Sequence, residues 1–241
     1  MLSPTMKKQI PNFLTSMNLF CGCIAVVMVF RNHLEFTAYL ILLAAFFDLL
    51  DGMVARLVGS NSEFGKQIDS LADVVSFGLV PGAVMFKLLQ MSSLPELVPN
   101  ATLRTFVQFV PFIITIFSAL RLAKFNLDTR QTSSFIGLPT PANTLLVVSL
   151  PLILIQLPGK FDGLILNPVF LLLVSVFLSY MLISEIPLFS LKFKSLDLKT
   201  NMFQYILIAL AIVLITIFSF AAIPMVIILY VLLSIIKNKL A

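Results

Sequence analysis

Eight stretches of about twenty mostly apolar residues follow one another along this 241-residue chain. A helix of about that length crosses the hydrocarbon of a bilayer. Charged residues make up 11% of the chain and hydrophobic residues 59%, whereas a soluble domain carries roughly 25% and 45–50%. No aqueous fold could bury so much apolar surface, so we predict an all-α polytopic membrane bundle. The predicted spans lie near residues 12–30, 35–58, 65–89, 104–124, 138–157, 166–184, 202–221 and 223–237.

The lysines and arginines predict how these spans are oriented. Cytoplasmic segments of membrane proteins are enriched in such residues, and a cytoplasmic N-terminus puts twelve of the sixteen inside. We therefore expect both termini and the loops at 57–66, 121–137 and 185–201 to face the cytoplasm. The same bias explains the net charge of +5 without a nucleic-acid partner. The inside set is Lys7, Lys8, Arg56, Lys66, Arg121, Lys124, Arg130, Lys192, Lys194, Lys199, Lys237 and Lys239, and the outside set is Arg31, Lys87, Arg104 and Lys160.

We expect a single domain over residues 1–241. Four of its eleven acidic residues fall in two adjacent predicted spans. Asp48 lies thirteen residues into its span, which is about 20 Å along a helix. A carboxylate at the centre of a span costs roughly 2.5–3.5 kcal/mol, so such residues face the bundle interior and mark a functional site. A stripe of acids facing lipid is therefore excluded.

Residue spacing indicates that the two acidic stripes face each other. Asp48 and Asp51 are three residues apart and share one helical face, and Asp69 and Asp73 share a face four residues apart. The short cytoplasmic turn at 57–64 makes the two helices antiparallel neighbours. We therefore expect all four carboxylates to lie close together.

Carboxylates at close quarters repel one another unless cations neutralise them. Oxygen-only ligands, with no histidine or thiol nearby, suit Mg²⁺ or Mn²⁺. Two such ions about 4 Å apart can stabilise both the attacking and the departing oxygen in a displacement at phosphorus. We therefore predict two divalent cations. Gly52 and Ala55 on the acidic face would leave room for a bulky polar ligand, although small residues also simply allow close helix packing.

A cation-coupled transporter is the competing interpretation from another functional class, because acids inside a membrane also mark ion pathways. Transporters usually place their sites near the bilayer midplane between repeated halves. Here the acids cluster toward one face, and no second half of the sequence repeats them. This distribution favours an enzyme.

The acidic residues form part of a longer pattern, Asp48-x2-Asp51-Gly52-x2-Ala55-Arg56-x8-Gly65-x3-Asp69-x3-Asp73. This pattern resembles the signature of the CDP-alcohol phosphotransferase family at all eight constrained positions. The resemblance implies that Asp48 and Asp69 bridge two divalent ions, with Asp51 and Asp73 each completing one ion's shell. It also implies that Asp73 is the general base that takes the proton of the acceptor hydroxyl as CMP leaves, and that the protein is a homodimer.

The resemblance further implies a binding site for the CDP group. Asn12 and Thr15, at the cytoplasmic start of the first span, would join it, although both could simply cap that helix. The implied CDP-binding set is Gly52, Ala55, Arg56, Gly65, Asn12 and Thr15.

Residues outside the signature indicate which acceptor alcohol the protein uses. The stretches PNFLTSMNLFCG at 11–22, SLADVVSFG at 70–78, SALRLAKFN at 118–126 and FIGLPTPA at 135–142 resemble the membrane-embedded phosphatidylserine synthases of this family. Relatives that use glycerol phosphate tend to have a lysine where Val74 stands. The resemblance therefore implies transfer from CDP-diacylglycerol to L-serine, giving phosphatidylserine. Inositol phosphate, glycerol phosphate and choline are the alternative acceptors.

A zwitterionic serine needs a cation for its carboxylate and hydrogen-bond acceptors for its ammonium group. Arg121, Lys124 and Asn126 lie at the cytoplasmic end of the fourth span, on the same side as the acids. Arg121 could bind the carboxylate bidentately, and Asn126 or a backbone carbonyl could accept from the ammonium group. Arg121 and Lys124 could instead be membrane anchors. Thr140, flanked by two prolines, could shape the pocket, or the prolines could only begin a helix. We expect the active site at the cytoplasmic face of the cell membrane.

Overall fold

The computed structural model describes residues 4–59, 62–128, 134–189 and 201–240. Helices dominate these residues, as the apolar stretches predict. Arg130, Lys192, Lys194 and Lys199 of the charge argument lie outside them. The elements are α1 (Pro4–Phe30), α2 (Leu34–Leu57), α3 (Glu63–Asp73), a π-helical segment (Val74–Leu79), α4 (Val80–Met91), α5 (Leu94–Leu97), α6 (Ala101–Phe109), a 3₁₀ turn (Val110–Phe112), α7 (Ile113–Leu127), β1 (Ser134–Ile136), α8 (Thr140–Gln156), α9 (Asp162–Ile165), α10 (Pro168–Ile183), β2 (Pro187–Phe189), α11 (Met202–Phe218), a second 3₁₀ turn (Ser219–Ala221) and α12 (Ala222–Leu240).

The helical runs make this an integral membrane protein. Five runs in the described residues are long and apolar enough to cross a bilayer, and α8 and α10 are shorter apolar helices. Each of the eight predicted spans coincides with a helix or an unbroken run of helices. The number of crossings and the orientation of the termini stay predictions. The five long runs are Gln9–Phe30, Leu34–Leu57, Glu63–Met91, Ala101–Leu127 and Met202–Lys239.

The last long run is a hairpin rather than one helix. Its 38 residues would extend about 57 Å as a continuous helix, nearly twice the roughly 30 Å of bilayer hydrocarbon. Ser219 adopts a left-handed φ of 48° and breaks the run, and α11 and α12 pack against each other. The spans predicted at 202–221 and 223–237 place the break after residue 221, whereas the observed turn is Ser219–Ala221. Pro224 does not mark the break, because it lies in the first turn of α12, where proline is well tolerated.

A short antiparallel strand pair, β1 with β2, departs from the all-α prediction. It joins two segments that the sequence predicted as loops. Gly137 continues the pairing, because its N–H donates to the Ile186 carbonyl at 3.0 Å. Its φ of +75° favours glycine, and a Cβ there would lie 2.6 Å from the Leu182 carbonyl oxygen. The Tyr230 hydroxyl donates to the Phe189 carbonyl at 2.8 Å and ties β2 to α12.

The centre of the bundle is α4. All of its residues from Val80 to Phe86 are buried, and it packs against α1, α7, α8 and α10. Small residues make this possible, since Gly82 lets α7 approach closely and Ala83 is buried beside it. The π-helical segment and Asp73 precede α4 directly, so the acidic end of α3 is held against the protein core.

Candidate active site

Three carboxylates meet between α2 and α3. Asp48 and Asp51 lie on α2, in the half that we predict to be nearer the cytoplasm, and Asp69 lies on α3. One carboxylate oxygen from each of these residues lies within 4.8 Å of the other two. The structure therefore brings together three of the four aspartates that spacing placed on facing stripes.

The fourth aspartate, Asp73, lies one turn further along and stands apart from this group of three. It is the last residue of α3 and is buried, with 8% of its surface exposed. It still interacts electrostatically with Asp48, Asp69 and Asp51. Asp73 is thus close enough to interact with the other three carboxylates, but it is not one of the group whose oxygens meet.

Helix α1 contributes a side chain to each acidic helix. The Thr15 hydroxyl donates to Asp51 Oδ2 at 2.5 Å, and the Asn18 amide donates to Asp73 Oδ1 at 3.1 Å. The sequence predicted Thr15 near the nucleotide but gave Asn18 no role. The signal was available in the spacing, because residues 15 and 18 are three apart and share one helical face.

The donor set of the acidic group fits a hard divalent cation. Asp51 is buried and Asp48 and Asp69 are half-buried. Asp69 Oδ1 is buried and has no hydrogen-bond partner among the described residues. A buried carboxylate oxygen without a partner is costly, and a bound cation would satisfy it. Carboxylate oxygens are the ligands that Mg²⁺ and Mn²⁺ prefer.

A cavity of about 280 Å³ opens beside these carboxylates. Five of the six predicted CDP-binding residues line it. Arg56, the sixth, is exposed and donates from Nε to the Gly52 carbonyl at 2.8 Å. A Cβ added at Gly52 would meet no atom within 4 Å, so this face of α2 borders open space. The lining is Pro11, Asn12, Thr15, Asp51, Gly52, Ala55, Ser62, Glu63, Gly65, Lys66 and Asp69.

The N-terminus of α3 also reaches this cavity. Ser62 caps the helix by accepting from the Gly65 N–H at 3.0 Å. The positive end of the helix dipole and its free N–H groups attract anions, and Lys66 adds a cation at the same cavity. Sequence reasoning did not assign Ser62 or Lys66 to the site. A serine directly before an acidic first turn was the available signal.

Arg121 is the predicted acceptor residue that lies near Asp73. It lies on α7, has 7% of its surface exposed and interacts electrostatically with Asp73. No ion pair within 4.0 Å joins the two side chains. Its Nε has no hydrogen-bond partner among the described residues. A buried guanidinium thus lies near a buried carboxylate without touching it.

The other predicted acceptor residues are placed differently. Lys124 is exposed and forms an ion pair with Glu185. Asn126 donates from Nδ2 to Ser70 Oγ at 2.7 Å, which ties the end of α7 to α3. Thr140 is buried at the start of α8. Of these three, Lys124 and Asn126 therefore have structural contacts in addition to their proposed role.

Three hydroxyl hydrogen bonds tie the π-helical segment after Asp73 to three different helices, one from the segment's own Ser76 and two from neighbouring helices. Ser76 Oγ donates to the Asn18 carbonyl at 3.0 Å. Thr144 donates to the Phe77 carbonyl and Thr115 to the Gly78 carbonyl, both at 2.9 Å. Single turns of π-helix are rare and frequently lie at functional sites. Here the segment fixes the backbone directly behind Asp73.

A sequence model of the CDP-alcohol phosphatidyltransferase family matches residues 8–236. The chain belongs to this family. The match extends over nearly the whole chain, so the family assignment includes the C-terminal helices, in which the sequence showed no motif. It also confirms the resemblance drawn from the acidic signature.

Three curated relatives show which named members of the CDP-alcohol phosphatidyltransferase family this chain is similar to. A CDP-diacylglycerol–serine O-phosphatidyltransferase of Helicobacter pylori is 34% identical over 140 residues, which cover 57% of this chain and 55% of that protein. The Bacillus subtilis protein of the same name is 28% identical over 177 residues, covering 73% and 88%. An archaetidylserine synthase of Methanothermobacter thermautotrophicus is 32% identical over 142 residues, covering 58% and 56%. The chain thus spans about half the length of two of these relatives.

Proposed function

We propose that this protein transfers a phosphatidyl group from CDP-diacylglycerol to L-serine, forming phosphatidylserine and CMP. The observation that carries the proposal is the pair formed by Asp73 and Arg121. The carboxylate and the guanidinium are both buried and lie near each other, but they are separated by more than ion-pair distance. Serine, with a hydroxyl at one end and a carboxylate at the other, suits such a pair. The names of the relatives support the same donor and acceptor.

The cavity beside α3 would hold the CDP end of the donor. Its open face at Gly52 and Ala55 leaves room for a nucleotide, and Asn12 and Gly65 close its other side. The N-terminus of α3 and Lys66 supply positive potential where the pyrophosphate would lie. Arg56 would contact the same ligand by reorienting from its bond with the Gly52 carbonyl.

Asp48, Asp51, Asp69 and Asp73 would hold two divalent cations, either Mg²⁺ or Mn²⁺. The orphan oxygen of Asp69 and the close approach of three carboxylates fit this role. When bound, such cations neutralise the charge that develops on the pyrophosphate oxygens. Thr15 would keep Asp51 in a fixed orientation through its hydrogen bond.

Asp73 would act as the general base. As the serine hydroxyl oxygen forms a bond to the lipid-side phosphorus, its proton passes to the Asp73 carboxylate. The bond between that phosphorus and the oxygen of CMP breaks, and CMP departs with the electron pair. One carboxylate oxygen of Asp73 is held by Asn18, which orients the group toward an incoming hydroxyl.

Arg121 would select the acceptor by binding the serine carboxylate. It is the one buried lysine or arginine in the described part of the chain. Choline offers no acid for it, whereas the phosphate of inositol phosphate or glycerol phosphate would also bind a guanidinium, so the acceptor assay has to separate serine from these two. Lys124 and Asn126 would border the pocket, and Thr140 would close it from α8.

The membrane setting completes the proposal. We place the active site at the cytoplasmic face of the cell membrane, with both termini on that side, because the lysines and arginines favour this orientation. Eight spans in a single domain over residues 1–241 and a homodimer, as the family resemblance implies, belong to the same proposal.

A substrate panel tests the proposal directly. Purified protein is incubated with CDP-diacylglycerol and Mn²⁺ or Mg²⁺ and one alcohol at a time, and CMP release and the lipid product are measured. We expect serine to give CMP and phosphatidylserine. Release with inositol phosphate but not with serine would overturn the acceptor. No CMP with any alcohol, together with cation flux in vesicles, would favour a transporter.

A further inference from the structure

Asn18 occupies an unusual place in the acidic site. It lies on α1 and is fully buried, with 0% of its surface exposed. Its Nδ2 donates to Asp73 Oδ1 at 3.1 Å. It is therefore in direct contact with the residue that we propose as the general base, although it is absent from the eight-position signature.

The backbone around Asn18 is locked to the segment that follows Asp73. The Asn18 carbonyl accepts from Ser76 Oγ at 3.0 Å. One turn later, Gly22 lets the π-helical segment approach, since a Cβ there would collide with Ser76 Oγ and lie 3.0 Å from Ser76 Cα. These contacts between two helical segments fix the position of the Asn18 backbone relative to Asp73.

The other end of the Asn18 amide has no partner. Its Oδ1 is buried and accepts no hydrogen bond from any described residue. Because Oδ1 and Nδ2 are bonded to the same carbon and Nδ2 is fixed on Asp73, the orphan oxygen lies beside the Asp73 carboxylate. An amide oxygen can only accept hydrogen bonds, so it calls for a donor next to the proposed base.

We propose that Asn18 positions Asp73 through its amide nitrogen and accepts a hydrogen bond from the ammonium group of the acceptor through its amide oxygen. The inference rests on the proposed function, which supplies an acceptor with a hydroxyl for Asp73, a carboxylate for Arg121 and an ammonium between them. It assigns Asn18 as the residue that distinguishes an amino alcohol from an alcohol without an amine.

The test compares serine with 3-hydroxypropanoate, which keeps the hydroxyl and the carboxylate but lacks the amine. Values of kcat and KM are measured for serine, and 3-hydroxypropanoate is measured as a substrate or as a competitive inhibitor. In Asn18→Leu we expect the preference for serine to fall about 10- to 100-fold, the range for a hydrogen bond to a charged group. Looser positioning of Asp73 lowers kcat for both compounds and does not change their ratio.

Two measurements separate this role from a structural one. The affinity for CDP with Mn²⁺, measured by calorimetry without acceptor, should be unchanged in Asn18→Leu. Cys23→Ala, at an exposed position of the same helix, should match the wild type in every assay. If Asn18→Leu loses CDP binding, Asn18→Ala is measured in the same way, and loss of CDP binding in both variants would overturn the inference.

An unchanged preference for serine in a variant that still binds CDP would also show that Asn18 does not contact the ammonium group. In that case the proposed function stands, because the wild type still releases CMP with serine. If the wild type itself does not use serine, both the proposed function and the inference about Asn18 are wrong. The two failures are therefore distinguishable.

Discussion

Two membrane runs of this protein are equally helical but have opposite surroundings. In Glu63–Met91, the most apolar stretch of 18 residues has a mean hydropathy of 1.6, and 67% of its residues are buried inside the protein. In Met202–Lys239, the corresponding stretch has a mean hydropathy of 3.0, but only 11% of its residues are buried. The more hydrophobic run is the one that faces outward. In a bilayer the lipid accepts apolar side chains, so polar and small residues mark the interior helices.

The features of the proposed active site lie mainly on the interior run, Glu63–Met91. The interior run has two of the four aspartates, the π-helical segment and the closely packed small residues of α4. The outer hairpin contributes Tyr230, which lies near Arg121 and holds β2. The following predictions test whether function and tight packing are concentrated in the interior run, from the largest expected effect to the smallest.

Replacing Asp73 with asparagine should have the largest effect. Asp73→Asn keeps the size of the side chain but removes the proton acceptor, so we expect CMP release to fall about 10³-fold while the protein stays folded. Release is measured with serine and CDP-diacylglycerol, and folding by melting temperature in detergent. Glu96→Gln, at an exposed acid on α5, is the control and should retain its rate. A near-normal rate in Asp73→Asn would remove this residue from the role of base.

Removing the cations should lower turnover nearly as far as Asp73→Asn does, but reversibly. A chelator should lower CMP release, and added Mn²⁺ or Mg²⁺ should restore it. Asp69→Asn should weaken Mn²⁺ binding by about 10- to 100-fold or more, measured by electron paramagnetic resonance of the free ion. Asp162→Asn, at an acid that accepts from the Gly159 N–H far along the chain, should bind Mn²⁺ like the wild type. Equal Mn²⁺ affinity in both variants would contradict a metal site at Asp69.

Arg121 and Lys124 are two cations on one helix that the structure separates. Arg121→Lys loses the planar fork that binds a carboxylate bidentately, so we expect the KM for serine to rise about 10- to 100-fold and the KM for CDP-diacylglycerol to stay unchanged. Lys124→Ala breaks only an exposed ion pair, which contributes about 0–1 kcal/mol, so its KM for serine should change less than about fivefold. A larger change in Lys124→Ala than in Arg121→Lys would reverse the assignment.

The sequence predicted the acidic site more completely than its supports. The four aspartates could be found because a charge inside an apolar span is costly and helical spacing fixes its face. Sequence reasoning assigned Asn18 no role, since its partner lies 55 residues away. The ion pair between Lys124 and Glu185 spans 61 residues and was equally inaccessible without the fold.

The irregular elements could not be predicted for a different physical reason. The π-helical segment depends on contacts with three helices: its own Ser76 donates to a carbonyl of α1, and hydroxyl groups of α7 and α8 donate to its backbone carbonyls. Its own sequence has no distinguishing period. The β1–β2 pair has three residues in each strand, too few to show alternation. Apolar length predicted the helices well, because it depends on each segment alone.

Two glycines near the site should respond in opposite ways to the same substitution. Gly22→Ala forces a methyl group into Ser76, and overpacking of this kind costs about 1–3 kcal/mol, so the melting temperature should fall. Gly52→Ala meets open space and should leave the melting temperature unchanged or raise it, because alanine favours helix by about 1 kcal/mol. Gly52→Ala should instead raise the KM for CDP-diacylglycerol. Equal melting temperatures in the two variants would contradict the close contact at Gly22.

The smallest effect is expected on the outer hairpin, and it tests the comparison between the two runs most directly. Ala83 on α4 is buried, with 1% of its surface exposed, whereas Ala209 on α11 is exposed. Ala83→Leu should destabilise the protein by about 1–3 kcal/mol, while Ala209→Leu should change its stability by less than about 0.5 kcal/mol. Both are measured as melting temperatures in detergent and again in nanodiscs. A large loss for Ala209→Leu in both media would mean that protein, and not lipid, covers α11, so the homodimer would have to be built through that helix.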